Sequence, residues 1–137
     1  MNELYTTTVA VTGGRDGRAT ADDGQLAVGL AFPKALGGSG NGTNPEQLFA
    51  AGFGACFTSS LAFAARGLNV ATGPISVDAT VTLTVDDAGA YGIKALLSVR
   101  LPAAAPDDAQ RVIEEAKRIC AYSNALKGKA EVDIRQG

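Results

Sequence analysis

The sequence predicts an α+β fold in which antiparallel sheets pack around one long, apolar helix. Three observations carry that expectation. Segments on both sides of the chain's middle, LYTTTVAV at residues 4–11 and then ISVDATVTLTV with AYGIKALLSVRL, alternate at period two and are rich in β-branched residues, as half-buried strands are. Between them, residues 47–65 carry no formal charge, and TNPEQL just ahead has the chemistry of a helix start. Further on, PDDAQRVIEEAKRI is amphipathic at helical spacing. With 137 residues the chain has the length of a single domain, 1–137, able to bury a core without disulfide staples or a structural metal.

Taken in order, LYTTTVAV is a first strand, GGRDGR a turn, and a second short strand surrounds Ala19. Asp23-Gly24 then turns the chain into QLAVGLAF, a third strand of an antiparallel meander. Residues 33–43, PKALGGSGNGT, hold four glycines and no period, so they form a loop. Thr43 or Asn44 can cap the helix that follows, Pro45 suits its first position, and Glu46 lies in its first turn. The helix runs to about Arg66, where Gly67 can take the left-handed conformation that ends helices.

Within it Gly52, Cys56 and Ser60 recur every four positions, as do Ala51, Ala55 and Ser59. Small residues at that spacing let another backbone approach closely, so the helix is expected to be buried all round. One chain of this length has too few layers to enclose it, and a two-fold homodimer with its two long helices packed together is expected. Glycine, serine and threonine dilute the segment too much for a membrane span. Beyond Gly73-Pro74, the two alternating segments flank Asp86-Asp87-Ala88-Gly89 as a long hairpin. Pro106-Asp107-Asp108 opens the amphipathic helix, with Ala109, Val112, Ile113, Ala116 and Ile119 on one face and its end close to Cys120. Residues 122–126 form a short helix or turn, and AEVDIR is a last strand.

Composition excludes several classes of function. The chain is 46% hydrophobic and 19% charged, with a net charge of −2. Its basic residues are scattered, so no stripe exists for a phosphate backbone to follow and nucleic acid is not an expected partner. The start, MNELYTTTVAV, lacks the basic-then-apolar pattern of a secretory signal, and a cytoplasmic location is expected. Histidine is absent, which removes Ser-His and Cys-His nucleophile pairs; two cysteines alone make a poor zinc site, so no metal is expected. A cytoplasmic pair such as Cys56 and Cys120 is rarely a structural disulfide, and a redox or reactive role is the usual exception. Any activation of a thiol here must come from a cation.

Each candidate residue, taken singly, has a plainer reading. A cysteine in an apolar helix is most often an inert core residue. Arg15 is most simply a solvated turn arginine, with Arg18 as its rival in the same turn, and Glu46 a first-turn glutamate facing the helix N-terminus. Composition and spacing leave those readings open.

The motifs TNPEQLFAAGFGACF and ICAYSNALKG, together with GGRDGR and FPKALGGSG, resemble the organic hydroperoxide resistance proteins, the Ohr branch of the Ohr/OsmC family, over essentially the whole chain. The resemblance implies an Ohr/OsmC-like intertwined homodimer, antiparallel sheets wrapped around two long central helices. It also implies a thiol peroxidase that reduces organic hydroperoxides, both alkyl and fatty-acid derived, to alcohols. In that reading Cys56 is the peroxidatic thiol and Cys120 the resolving one, Arg15 holds the thiolate and Glu46 orients the arginine. No bound cofactor is implied; the reductant is an external dithiol of the dihydrolipoamide type on a lipoylated protein. Where the family typically has proline after the resolving cysteine, this chain has Ala121.

The physics of the residues agrees with those roles. A thiol's ordinary pKa of about 8.5 leaves little thiolate at neutral pH, and apolar surroundings raise it further. Cys56 lies about three turns into the helix, beyond the reach of the helix dipole. An arginine's planar fork can bond a thiolate and a carboxylate together, as lysine cannot. Positions 46 and 56 on one straight helix are separated by roughly 15 Å, too far for one arginine head to touch both easily. An antiparallel partner helix removes the difficulty, so each site is expected to combine Cys56 and Cys120 of one chain with Arg15 and Glu46 of the other. Phe53, Phe32 and Leu36, with Pro33, are candidates to line a pocket for an alkyl tail; for Phe57 core packing is the better reading.

Other functions compete. An OsmC-type peroxidase would run the same chemistry with another peroxide preference. A hot-dog thioesterase would use a helix-borne glutamate and leave both cysteines without a task. A non-catalytic redox-sensing or lipid-binding dimer would be oxidised only once.

Overall fold

A computed structural model describes all residues, 1–137, and the chain divides into two compact units, Met1–Leu48 and Phe49–Gly137. The class is α+β, with two three-stranded sheets and helices.

In the first unit, β1 (Val9–Thr12), β2 (Arg18–Ala21) and β3 (Ala27–Gly29) form the expected antiparallel meander. β2 alternates, with Ala19 and Ala21 buried and Arg18 and Thr20 exposed, as a pleated strand with one covered face must. The strands are shorter than their alternation suggests. β1 begins at Val9 because β2 ends at Ala21, after which Asp22 donates its N–H to the Thr8 carbonyl at 3.0 Å as a last rung. Leu4 and Tyr5 stay 93% and 80% exposed, with no strand beside them. β3 is cut short in the same way, because Leu30 leaves the ladder to bridge Thr43 in parallel. Inside the glycine-rich loop stands a 3-10 turn, Lys34–Leu36, backed by Gly38 N–H to the Pro33 carbonyl at 3.1 Å and Gly40 N–H to the Phe32 carbonyl at 3.0 Å.

Helix α1 (Pro45–Gly67) starts where Asn44 caps it, its Oδ1 accepting the Gln47 N–H at 2.9 Å. The Thr43 hydroxyl turns instead to the Gln47 side chain at 2.7 Å.

In the second unit α1 ends on a residue other than the expected Gly67. Asn69 takes the left-handed conformation, φ 55°, and no other non-glycine residue has a positive φ. Its N–H bonds the Arg66 carbonyl at 3.3 Å while Val70 N–H bonds the Ala65 carbonyl at 2.9 Å, the two-bond closure of a Schellman end. Asparagine tolerates that conformation, and Gly67 stays helical.

Strands β4 (Ser76–Val85) and β5 (Tyr91–Arg100) form the predicted hairpin, with rungs from Ser76↔Arg100 to Val85↔Tyr91. The Asp86 carboxylate holds the turn by accepting the Ala88 and Ala90 N–H groups, each at 2.9 Å. Helices α2 (Pro106–Ile119) and α3 (Ala121–Leu126) then carry the chain back, and β6 (Glu131–Gln136) joins β5 in parallel, Lys94↔Glu131 through Val99↔Gln136. This sheet is therefore mixed, where the strand pattern leads to the expectation of antiparallel sheets. A helical crossover returns the chain to the end of the sheet from which β5 started, and a strand laid down from there runs parallel.

The core of the unit gathers Phe53, Phe57 and Leu61 of α1, Leu97 and Val99 of β5, and Val112, Ile113 and Ala116 of α2, all 0–1% exposed. Each of the large apolar side chains contributes about 1.5–3 kcal/mol by leaving water. One face of α1 is thus a core face. The opposite stripe, Ala51, Ala55, Ser59 and Phe63, is exposed, with Phe63 at 67%, so within one chain the helix is not buried all round. Two layers from a single unit cover one side of a helix and leave the other bare. By length and composition α1 could cross a membrane, but its Phe53, Phe57 and Leu61 make it the core helix of this unit.

Candidate active site

The two thiols meet in the second unit. Cys56 stands half-buried on α1, and Cys120 is the joint between α2 and α3, where it is 0% exposed. Its N–H closes α2 on the Ala116 carbonyl at 2.9 Å, and its carbonyl accepts the Asn124 N–H at 3.0 Å to open α3. Asn124 braces the same corner from its side chain, donating Nδ2–H to the Arg118 carbonyl at 3.1 Å. The two sulfurs lie 3.4 Å apart and share a hydrogen bond. Both are free thiols, within a small adjustment of the roughly 2.05 Å of a disulfide.

An aromatic stack holds α3 against α1. The Tyr122 ring lies on Phe53, centroids 5.7 Å apart and planes 16° from parallel, and meets Phe49 edge-on at 6.0 Å. Its hydroxyl sits over Gly52, where a Cβ would come within 2.6 Å of Tyr122 Oη. Gly52 is therefore needed for close approach, since any side chain there pushes on the residue two after Cys120. Gly52→Ala is expected to forgo the ~1 kcal/mol that alanine otherwise gains over glycine in a helix and to lose about 1 kcal/mol in all, as overpacked sites do. Thermal denaturation checks this, and adding Tyr122→Phe should return most of the loss.

The thiols ionise as a pair. Burial pushes the Cys56 thiol above its ordinary value and the neighbouring Cys120 adds to the rise, against weaker help from the Tyr122 and Ala121 N–H groups. The Ala121 N–H is a donor that proline at that position would lack. Cys120 is pushed up by burial too, but the Ser123 N–H, the Cys56 thiol and the Tyr122 N–H are among the groups that outweigh it and hold Cys120 below its ordinary value. Between the two thiols these influences favour charge on Cys120, and a thiolate on Cys56 is favoured by positive charge beside it.

The first unit holds such a charge. Arg15 lies on the 3-10 turn Gly14–Asp16 between β1 and β2, and its guanidinium grips Glu46 of α1 through two hydrogen bonds, 2.8 Å to Oε2 and 2.7 Å to Oε1. The pair is largely covered, at 28% and 17% side-chain exposure. That fork-to-carboxylate contact holds Glu46 below the ordinary carboxylate value against the opposing effect of burial. Gly17 shapes the turn, because a Cβ on it would lie 1.6 Å from the Thr12 carbonyl oxygen. Asp16 ties the turn to the glycine-rich loop, its Oδ1 accepting the Phe32 N–H at 3.1 Å. Arg18 is exposed on β2.

Each candidate residue now has a place. Arg15 and Glu46 are joined to each other, and Cys56 is joined to Cys120. Phe32 and Pro33 are half-buried and Leu36 is 51% exposed, all in the first unit. Phe53 and Phe57 are 0% exposed, ring against ring in the core of the second. Asp16, Tyr122, Ser123 and Asn124 were not singled out by sequence reasoning, and Gly52 only as one of a small-residue repeat, although they stand inside the motifs GGRDGR, FAAGFGACF and ICAYSNALKG. A groove of about 420 Å³ runs beside the exposed stripe of α1, lined by Ala51, Gly54, Ala55, Thr58, Val77 and Ala79 among others. No three His, Cys, Asp or Glu side chains cluster as a metal site would require.

Comparison with known proteins adds to this geometry. The OsmC-like protein family model matches residues 38–135. An organic hydroperoxide resistance protein from Xanthomonas axonopodis pv. citri is 40% identical over 133 residues, covering 96% of this chain and 93% of the relative. The organic hydroperoxide resistance protein-like 2 of Staphylococcus epidermidis is 38% identical over 135 residues, covering 97% and 95%. The crystal structure of an organic hydroperoxide resistance protein from Elizabethkingia anophelis superposes with a TM-score of 0.94 at 38% identity, covering 100% of this chain and 99% of that one. With the family model matching most of its length and relatives about 40% identical over nearly the whole chain, the chain belongs to the Ohr/OsmC family.

Proposed function

We propose that the protein is a two-cysteine thiol peroxidase that reduces organic hydroperoxides to alcohols. The observation that carries this reading is the contact of two reduced cysteines, 3.4 Å apart at the joint of α2 and α3, with one of them half-exposed and the other buried. The names of the relatives support the substrate class.

The Cys56 thiolate attacks the distal oxygen of ROOH; the O–O bond breaks, the alcohol leaves with a proton, and Cys56 becomes a sulfenic acid. Cys120 then attacks the Cys56 sulfur, an S–S bond forms and hydroxide leaves as water, before further oxidation can occur. An external dithiol restores both thiols by exchange. A dihydrolipoamide-type reductant on a lipoylated protein fits that step. Oxidation of the wild type with one equivalent of an alkyl hydroperoxide is expected to lower its intact mass by two hydrogens and to link the peptides of Cys56 and Cys120. A gain of one or more oxygens with no link would contradict the two-cysteine cycle.

The cation comes from a second copy of the chain. The exposed stripe Ala51, Ala55, Ser59 and Phe63 and the groove beside it are a face for another helix. In an antiparallel pair of α1 helices the Arg15–Glu46 couple of each chain reaches the Cys56 of the other. Mixing Cys56→Ser with Arg15→Met subunits at neutral pH, where each alone keeps about a hundredth of the activity or less, is then expected to restore about a quarter of wild-type activity, because half the dimers formed at random are mixed and each carries one intact site. No recovery on mixing would mean that all four residues act from one chain.

A further inference from the structure

Ser123 has the only buried side-chain nitrogen or oxygen in the chain that lacks a hydrogen-bond partner. Buried hydroxyls are nearly always satisfied, and an orphan next to reactive groups calls for a chemical reason. Ser123 is the third residue of α3, and Cys120 is the cap residue that precedes the first. Side chains at those two positions face each other across the start of a helix. The Ser123 and Tyr122 N–H groups favour a thiolate on the Cys120 sulfur, and the hydroxyl on the same turn of α3 is left without a partner. In the dithiol state that sulfur is engaged with Cys56 instead, 3.4 Å away.

We propose that Ser123 is a further catalytic residue, whose hydroxyl donates a hydrogen bond to the Cys120 thiolate whenever that sulfur is released from Cys56. The proposal rests on the two-cysteine reading above. It bears on two moments of the cycle. Before resolution, Cys120 must be present as a thiolate to attack the Cys56 sulfenic acid. During reduction the external dithiol attacks the Cys56 sulfur, the S–S bond breaks, and Cys120 leaves with the electron pair; a leaving thiolate of lower pKa leaves faster. Ser123 keeps its own proton throughout, so it assists both directions without changing the electron count.

The test compares Ser123→Ala and Ser123→Thr in the Cys56→Ser background, following thiolate ultraviolet absorbance of Cys120 against pH, with circular dichroism to establish that each variant folds. Ser123→Ala is expected to raise the midpoint by about one unit, roughly tenfold less thiolate at neutral pH, and Ser123→Thr, which keeps the hydroxyl, to restore it. In chains that retain Cys56, the pH profile of disulfide formation should move up by the same amount with alanine and return with threonine. An unmoved midpoint and an unmoved profile overturn the proposal, whatever the effect of alanine on stability. A moved midpoint in a protein that forms no Cys56–Cys120 disulfide overturns the catalytic role by way of the peroxidase reading, while the hydrogen bond itself stands.

Discussion

Cys56→Ser is expected to lower kcat/KM for an alkyl hydroperoxide by roughly 10³-fold or more, the order lost when a covalent nucleophile is removed. The loss is chemical. Serine's hydroxyl does not ionise in the working range and cannot pass through a sulfenic acid, whereas the fold should hold, because residue 56 is half-buried on a helix face and serine is slightly smaller. Cys120→Ser should behave differently, consuming a first equivalent and then stalling. With no thiol to condense with, the Cys56 sulfenic acid proceeds to the sulfinic state under excess peroxide, and its mass rises by oxygen where the wild type loses two hydrogens. Steady-state kinetics and intact mass on the two variants separate the roles of the two sulfurs. Equal residual activity in both would mean that the sulfurs are interchangeable.

The second large effect is expected at Arg15. Burial and the neighbouring Cys120 hold the Cys56 thiol above its ordinary value. A guanidinium beside a thiolate lowers such a pKa by about one to three units. Removing it in Arg15→Met therefore shifts the alkaline rise of the pH–rate profile upward by the same one to three units and costs roughly 10²-fold at neutral pH. The sign is diagnostic. Activity should recover as pH is raised, since the thiolate still forms there; a loss independent of pH would mean that Arg15 matters for folding or substrate rather than for ionisation. Arg15→Lys should recover only part, because an ammonium lacks the two-pronged contact with Glu46. That contact sets the acid side as well. The Glu46 carboxyl is held below its ordinary 4.5 chiefly by Arg15. The ion pair thus persists above that ordinary value and is lost only as pH falls through the lowered one.

Strand and helix identity were legible because period two and helical spacing are local properties. The hairpin around Asp86, the amphipathic α2 and the Asn44–Pro45 helix start stand where the pattern puts them. Errors arose where a partner decides. Residues 4–8 alternate like a strand but have no neighbour beyond Ala21; β6 reads as any short strand, and only the α2–α3 crossover makes it parallel. Gly67 looked like the end of α1, yet the terminal hydrogen bonds select Asn69.

At the site, the contacts between Cys56 and Cys120 and between Arg15 and Glu46 followed from motifs, since spacing alone says nothing of which distant residues meet. The roles of Tyr122, Gly52 and Ser123 went unread for a physical reason. An aromatic and a serine after a cysteine look like ordinary helix residues, and a glycine in a small-residue stripe looks like one of many. Only the stacked ring over Gly52 and the orphaned hydroxyl next to Cys120 distinguish them. Ala51, Ala55 and Ser59 of the exposed stripe were legible as a small-residue repeat, but its exposure in a single chain, and Phe63 at its end, had to be seen.

The most direct test counts peroxide equivalents. Wild-type protein is given an excess of an alkyl hydroperoxide with dihydrolipoamide in one vessel and thioredoxin with its reductase in another, and peroxide loss is followed to completion. A two-cysteine peroxidase should consume many equivalents per chain with dihydrolipoamide. Consumption of one equivalent or none with either reductant would contradict it, leaving Cys56 and Cys120 a sensor pair or an inert contact.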